Sequence, residues 1–332
     1  MRVSAAATDG PAVLVTGGRG QLGRELERLL SARGVRVYAP GHDELDVTDR
    51  ARVEQVLDKT EPTVVFHTAA WTDVDGCQRD PERAWSVNAH ATAHLAEACA
   101  CRGILLVYVS TDFVFDGARR VPYEPGDPTR PLSVYGESKL AGERAVLAAG
   151  GPAIVARTAW VYGLSGRNFP KAILRAAAAR HRGEASGPLQ VVDDQTGSPT
   201  YAVDLARALL ELAGIGAKGP GAPRLGVFHV ANAGACSRYA FAQRILELAG
   251  WSGLVAVESI KSTAFPSAAP RPSYSVLGLR KLQETGIGMR PWEEALAEFL
   301  TALRTVEPEL FPPGSRVSPL DGTTEQYSPH IG

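Results

Sequence analysis

Short β-branched runs alternate along the chain with amphipathic stretches of helical period, starting at residue 12. Strands are predicted over 12–16, 35–39, 64–68, 105–110, 153–158 and 227–231. Helices are predicted between and after them, over 21–33, 50–59, 84–101, 134–148, 168–180 and 202–213. The strand runs are continuously apolar rather than alternating, as in strands covered on both faces. This rhythm predicts an α/β protein built on a doubly wound parallel sheet. No repeat with a period of ~20–50 residues is present, which excludes a solenoid.

Residues 163–200 and 234–304 lie outside the rhythm. They are expected to form a smaller lobe over the carboxyl ends of the strands, where open sheets bind ligands. The expected division is 11–162 and 201–233 for the sheet domain, and 163–200 and 234–305 for the lobe. Residues 306–332 are rich in Pro, Gly, Ser and Thr and read as a flexible tail.

Composition narrows the function classes. The 35 Lys and Arg nearly balance the 36 Asp and Glu, so no charge field points to nucleic acid or a membrane surface. The first eleven residues lack an apolar signal-peptide core, and no apolar run approaches the ~20 residues of a membrane span. Cys77, Cys99, Cys101 and Cys236 have neither zinc nor disulfide spacing. A cytoplasmic protein with reduced thiols is expected, with no metal. His90 and His94 have no third ligand nearby in sequence and read as polar residues of a helix face.

The first strand runs into Gly17-Gly18-Arg19-Gly20-Gln21-Leu22-Gly23. Glycines at 17, 20 and 23 make a variant of the dinucleotide fingerprint: a tight turn, close approach to a pyrophosphate, and close packing of helix on strand. The helix opened by Gln21 and Leu22 offers free N–H groups to the phosphates. Ala69 and Ala70, after the third strand, leave room for the cofactor. The second strand ends in Tyr38-Ala39-Pro40, without an acid to grip an adenosine ribose, and Arg19 could meet a 2′-phosphate. NADPH is therefore expected, with NADH as the alternative. Asp46 and Val47 are expected near the adenine, although Asp46 equally suits the N-cap region of the next helix.

Tyr135 and Lys139 stand one helical turn apart on one face. Ketone reduction needs a proton donor at oxygen, and a nearby cation would lower the tyrosine toward working pH. Thr111, at the end of the fourth strand, would add a hydroxyl to bind the carbonyl.

Phosphate loop, strand-end hydroxyl and Tyr/Lys pair, in this order, resemble the extended short-chain dehydrogenase/reductases over nearly the whole chain. More narrowly, several segments are similar to the dTDP-4-dehydrorhamnose reductase family. These are Gly20-Gln21-Leu22-Gly23, Ala69-Ala70-Trp71-Thr72-Asp73-Val74-Asp75, Ser110-Thr111-Asp112-Phe113-Val114-Phe115, Tyr135-Gly136-Glu137-Ser138-Lys139, Arg157-Thr158-Ala159-Trp160, Asp194-Gln195-Thr196-Gly197-Ser198-Pro199-Thr200 and Arg271-Pro272.

The resemblance implies a Rossmann-type sheet with a smaller α/β substrate-binding lobe, acting on a dTDP-4-keto-6-deoxysugar. It implies Tyr135 as general acid, Lys139 as its tuner and ribose anchor, and Thr111 as carbonyl binder. Asp112 and Trp160 would flank the sugar with Thr72, Val74 and Phe113. Asn168, Phe169, Gln195 and Thr200 would line the nucleotide side. Glu25 matches an acidic position linked with a metal-bridged dimer in some members, so a homodimer stays open.

Two alternatives remain at this point. An epimerase would share the Tyr, Lys and hydroxyl, whereas a dehydratase would carry a second acid where Phe113 stands. A non-catalytic, cofactor-binding regulatory subunit would share the fold.

Overall fold

The computed structural model describes residues 12–216, 219–264 and 267–314. At its centre is a six-stranded sheet. The strands are β1 (Ala12–Thr16), β2 (Arg36–Tyr38), β3 (Pro62–His67), β4 (Leu105–Thr111), β5 (Ala153–Thr158) and β6 (Gly226–His229). Their spatial order is β6-β5-β4-β3-β1-β2, and every neighbouring pair is parallel. All of β1 is buried, which is why its sequence does not alternate.

Helices cover both faces. Leu22, Leu26 and Leu30 form one stripe of helix Gln21–Ser31 and pack beside Leu205 and Leu209 of helix Ala202–Leu212. On the other face, Val53, Val56 and Leu57 of helix Arg50–Thr60 meet Leu95, Ala96 and Cys99 of helix Ala91–Cys101. The chain runs outward from β1 to β2, then returns to lay β3 on the other side of β1. The connections after β1 and β3 therefore diverge and open a crevice at the carboxyl ends. Its floor is tight: a Cβ on Gly17, at φ 71°, would stand 2.9 Å from the Ala69 Cα.

Several expected boundaries move. The helix expected over 84–101 is Pro81–Trp85, a π turn Ser86–His90, and Ala91–Cys101 in succession. Asp80 starts it by accepting from the Arg83 N–H at 3.1 Å. Residue 168 is not helical but the N-cap of Phe169–His181.

The second lobe has its own core. Helices Phe169–His181, Arg238–Ala249 and Trp292–Val306 enclose Ile173, Leu174, Phe241, Ile245, Leu296 and Phe299. Strand Leu189–Val192 pairs in parallel with Val257–Ile260. The expected tail from 306 begins as packed structure. Val306 ends a helix, Leu310 and Phe311 are buried, and the Trp251 indole donates to the Leu310 carbonyl at 3.0 Å. Lys171 Nζ meets Glu307 at 2.5 Å. Two apolar residues within a polar composition are enough to fasten this segment. The expectations for residues 1–11 and 315–332 lie outside the described residues. No helix among the described residues is long and apolar enough to cross a membrane.

Candidate active site

The loop after β1 closes only on glycine. A Cβ at Gly23 would stand 2.3 Å from the Gly17 carbonyl oxygen, and one at Gly20 would stand 3.2 Å from it. Gly20 is the N-cap of helix Gln21–Ser31, which has no side-chain cap and no acid in its first turn. Its leading N–H groups thus face the crevice without an internal anion, the condition for holding a phosphate. This cradle fits a dinucleotide.

Arg19 reaches the turn beyond β2, where its Nη2 lies 3.2 Å from Glu44 Oε2. Glu44 also accepts from the Gly41 N–H at 2.9 Å. The turn after β2 thus supplies Arg19 with a carboxylate partner, a pairing hidden by loop geometry. Asp46 and Val47 are not among the residues lining the crevice. Asp46 accepts from the Thr48 N–H and hydroxyl at 2.9 and 2.8 Å, and Val47 is buried. The cap of helix Arg50–Thr60 is Asp49.

Thr111 ends β4, and Tyr135 opens the second position of helix Val134–Ala148. Gly136 brings the two together, since a Cβ there would strike the Phe113 carbonyl at 2.2 Å. Phe113 packs edge-on to the Tyr135 ring, with centroids 5.4 Å apart. The Tyr135 phenol is not lowered as the sequence suggested. Burial pushes it well above its ordinary range, only partly offset by a hydrogen bond with Thr111. Lys139 is not among the charges acting on it. Its Nζ donates to the Val109 carbonyl at 2.7 Å and lies 4.1 Å from the Tyr108 ring centroid. Burial drops the Lys139 ammonium to about 7, against the pull of Glu143.

Asp112 is buried and accepts from Ser275 at 2.5 Å and from Thr111 at 3.1 Å. Burial raises its carboxyl to about 6 despite those bonds.

Three supports escaped the sequence. Asn88, in the π turn, accepts from the Trp71 N–H at 2.9 Å and donates to the Trp71 carbonyl at 3.1 Å, fixing the loop over the crevice. Beneath Lys139, Glu143 accepts from Arg157 at 2.7 and 2.9 Å and from Ser110 at 2.5 Å. Ser275 reaches Asp112 across a sequence separation of 163. Of these, only the π turn carries a local signal, since such turns gather at functional sites.

Two chambers meet here. The first, about 490 Å³, is lined by Gly20, Gln21, Leu22, Ala70, Thr72, Val74, Thr111, Asp112, Phe113, Tyr135 and Lys139. The second, about 560 Å³, is lined by Phe169, Ile173, Val191, Gln195, Ile260 and Ser262, with Asp75 at its rim. Trp160, Val161, Arg238 and Arg271 line both. Asn168 and Thr200 do not. The Asn168 amide donates to Gln21 and Gly163 at 2.8 and 2.7 Å while capping its helix, and Thr200 is buried against the Ser198 carbonyl.

No cluster of three or more metal-ligating side chains exists among the described residues. Glu25 is buried and pairs with Arg28 at 2.8 Å.

The family model described as "RmlD substrate binding domain" matches residues 11–305. A dTDP-4-dehydrorhamnose reductase of Mycobacterium tuberculosis H37Rv is 45% identical over 296 residues, covering 87% of this chain and 92% of that protein. The crystal structure of a dTDP-4-dehydrorhamnose reductase of Clostridium acetobutylicum superposes with a TM-score of 0.81 at 36% identity, covering 88% of this chain and 99% of that one. Another, from Bacillus anthracis in complex with NADP, superposes with a TM-score of 0.79 at 34% identity, over 87% and 98% of the two chains.

Proposed function

The chain belongs to the dTDP-4-dehydrorhamnose reductase family, and on that premise we propose that it reduces the 4-keto group of a dTDP-4-keto-6-deoxyhexose, using NADPH. One observation carries the reading. The Thr111 hydroxyl and the Tyr135 phenol meet at the carboxyl end of β4, in the chamber that also contains the phosphate cradle.

The loop Gly17–Leu22 would hold the NADPH, which when bound would provide the hydride. Tyr135 supplies the proton. Its raised phenol stays neutral across the working range, so its O–H can donate to the carbonyl oxygen as negative charge gathers there. The Thr111 hydroxyl gives that oxygen a second donor and fixes its direction. The phenolate left behind is buried and unfavourable, so it must regain a proton. With its amine near neutrality, Lys139 can pass a proton back toward the phenol. Asp112, Trp160, Thr72, Val74 and Phe113 form the hexose walls. Phe169 and Gln195 line the nucleotide chamber.

The sheet domain, 11–162 and 201–233, takes the cofactor in this reading. The lobe, 163–200 and 234–305 extended by the packed segment to Phe311, takes the sugar nucleotide. A cytoplasmic location and a homodimer belong to the same proposal. The test is incubation with a dTDP-4-keto-6-deoxy sugar and NADPH, followed by NMR of the product. NADPH should be consumed mole for mole with the keto sugar, whereas an epimerase would leave it intact and sink the reading.

A further inference from the structure

Tyr135, Lys139 and Glu143 stand on successive turns of helix Val134–Ala148 and make one stripe, all three buried. The stripe engages the last three residues of β4. Lys139 Nζ donates to the Val109 carbonyl at 2.7 Å, and Glu143 Oε1 accepts from the Ser110 hydroxyl at 2.5 Å. The Tyr135 phenol shares a hydrogen bond with Thr111. Tyr135, Lys139 and Thr111 line the hexose chamber, whereas Glu143 lines neither chamber.

A charged stripe this deep costs stability that an apolar one would not. The Glu143 carboxylate is fixed by Arg157, which reaches its two oxygens at 2.9 and 2.7 Å. Arg157 in turn donates to the Pro125 carbonyl at 3.1 Å and lies over the Phe115 ring. Of the pair, only Glu143 acts on Lys139. The other titratable groups around the amine are neutral near pH ~7. Burial drops His67, whose ring nitrogens lie 2.8 and 3.1 Å from the Thr16 and Thr92 hydroxyls, to about 3. Burial also pushes the Tyr108 and Tyr135 phenols far up. Asp112 and Cys77 act on Tyr135 rather than on Lys139.

We propose that Glu143 is a positioning residue of the reaction, whose carboxylate keeps Lys139 charged beside Tyr135 so that the spent phenolate is reprotonated. The inference rests on the reductase reading above. In each turnover the phenol proton goes to the carbonyl oxygen. The Lys139 ammonium returns one toward the phenolate, and the amine recovers its own from solvent. Burial alone would leave the amine neutral, and Glu143 opposes that. Arg157 and Ser110 keep the carboxylate where it can do so.

The test uses a Glu143→Leu/Arg157→Met variant, which removes the carboxylate without stranding the guanidinium. Full-chain enzyme saturated with NADPH, with its lysines labelled with carbon-13 at Cε, is titrated by NMR, and the Lys139 signal is identified by its loss in Lys139→Arg. In the variant the Lys139 midpoint should fall by about one pH unit, a roughly tenfold loss of proton affinity. Its kcat should be about 5- to 10-fold below wild type near pH ~8 and within about twofold near pH ~5.5, with KM unchanged. A merely structural pair would change the melting temperature and leave both pH curves in place. Should the variant not melt cooperatively, Glu143→Gln/Arg157→Gln, which keeps hydrogen-bonding groups at both positions, replaces it. A midpoint that stays or rises, or a kcat ratio that does not vary with pH, overturns the assignment. If the wild type does not reduce the keto sugar while the midpoint still falls in the variant, the reductase reading fails and the control of Lys139 by Glu143 stands.

Discussion

Trp160 lies so close to Gly197 that a Cβ there would stand 2.5 Å from the indole Cε2 and 2.8 Å from its Nε1. Trp160 itself has φ 47°, a left-handed backbone that bulky residues seldom adopt. The ring is thus held as the wall between the chambers by the absence of a side chain opposite. Gly197→Ala should cost about 1–3 kcal/mol of stability, raise KM for the sugar nucleotide, and leave NADPH affinity unchanged. Melting temperature measured beside steady-state kinetics checks it. A stability loss with unaltered KM would mean that the ring position does not matter for binding.

Tyr135→Phe removes the proton donor and keeps the ring against Phe113. Turnover should fall about 10²–10⁴-fold, with NADPH binding retained. Activity within a few-fold of wild type would remove Tyr135 from the chemistry.

Arg19 and Glu44 bear on cofactor choice. Their pair is exposed and so is worth under about 1 kcal/mol, too little to keep Arg19 from a 2′-phosphate. Arg19→Ala should weaken NADPH roughly 10- to 150-fold more than NADH. Glu44→Gln should strengthen NADPH by about fivefold at most, because it frees the guanidinium. Fluorescence titration with both cofactors decides, and equal changes for the two would make Arg19 a loop residue only.

Asp112 makes stability depend on pH. Burial raises its carboxyl from 3.8 to about 6, so the folded protein holds a proton there that the unfolded chain releases between these values. Its unfavourable contribution is complete above about pH 6 and fades as pH falls toward the unfolded value. Asp112→Asn should therefore add on the order of 2–3 kcal/mol at neutral pH and little near pH ~4. Parallel melting curves of the two proteins across that window would contradict this.

Glu143 and Arg157 form a buried pair, 2% and 6% exposed. Removing one partner strands the other, so Glu143→Ala should cost about 3–5 kcal/mol in denaturant unfolding. A Glu143→Leu/Arg157→Met double variant should regain most of it. Failure of the double variant to recover would mean that Ser110 and the Pro125 carbonyl, which Arg157 also contacts at 3.1 Å, carry the effect.

Local sequence determined the sheet and the cradle, because both depend on neighbours a few residues apart. Short, continuous, β-branched apolar runs suit strands covered on two faces, and Gly17 and Gly23 satisfy a turn in which a Cβ would strike backbone. Tyr135 and Lys139 are one helical turn apart whatever surrounds them. Their protonation was a different matter. Helical spacing suggested a lysine lowering a tyrosine, but desolvation in the folded chamber raises the phenol and lowers the amine. Asn168 and Thr200 matched the motif, yet one became a helix cap and the other a buried hydroxyl, because capping and burial are settled by what packs alongside. Arg238, Ser275 and Asn88 left no motif at all. Arg238 and Ser275 meet Trp160 and Asp112 only when the lobe closes over the sheet, and Asn88 meets Trp71 only when the sheet domain folds.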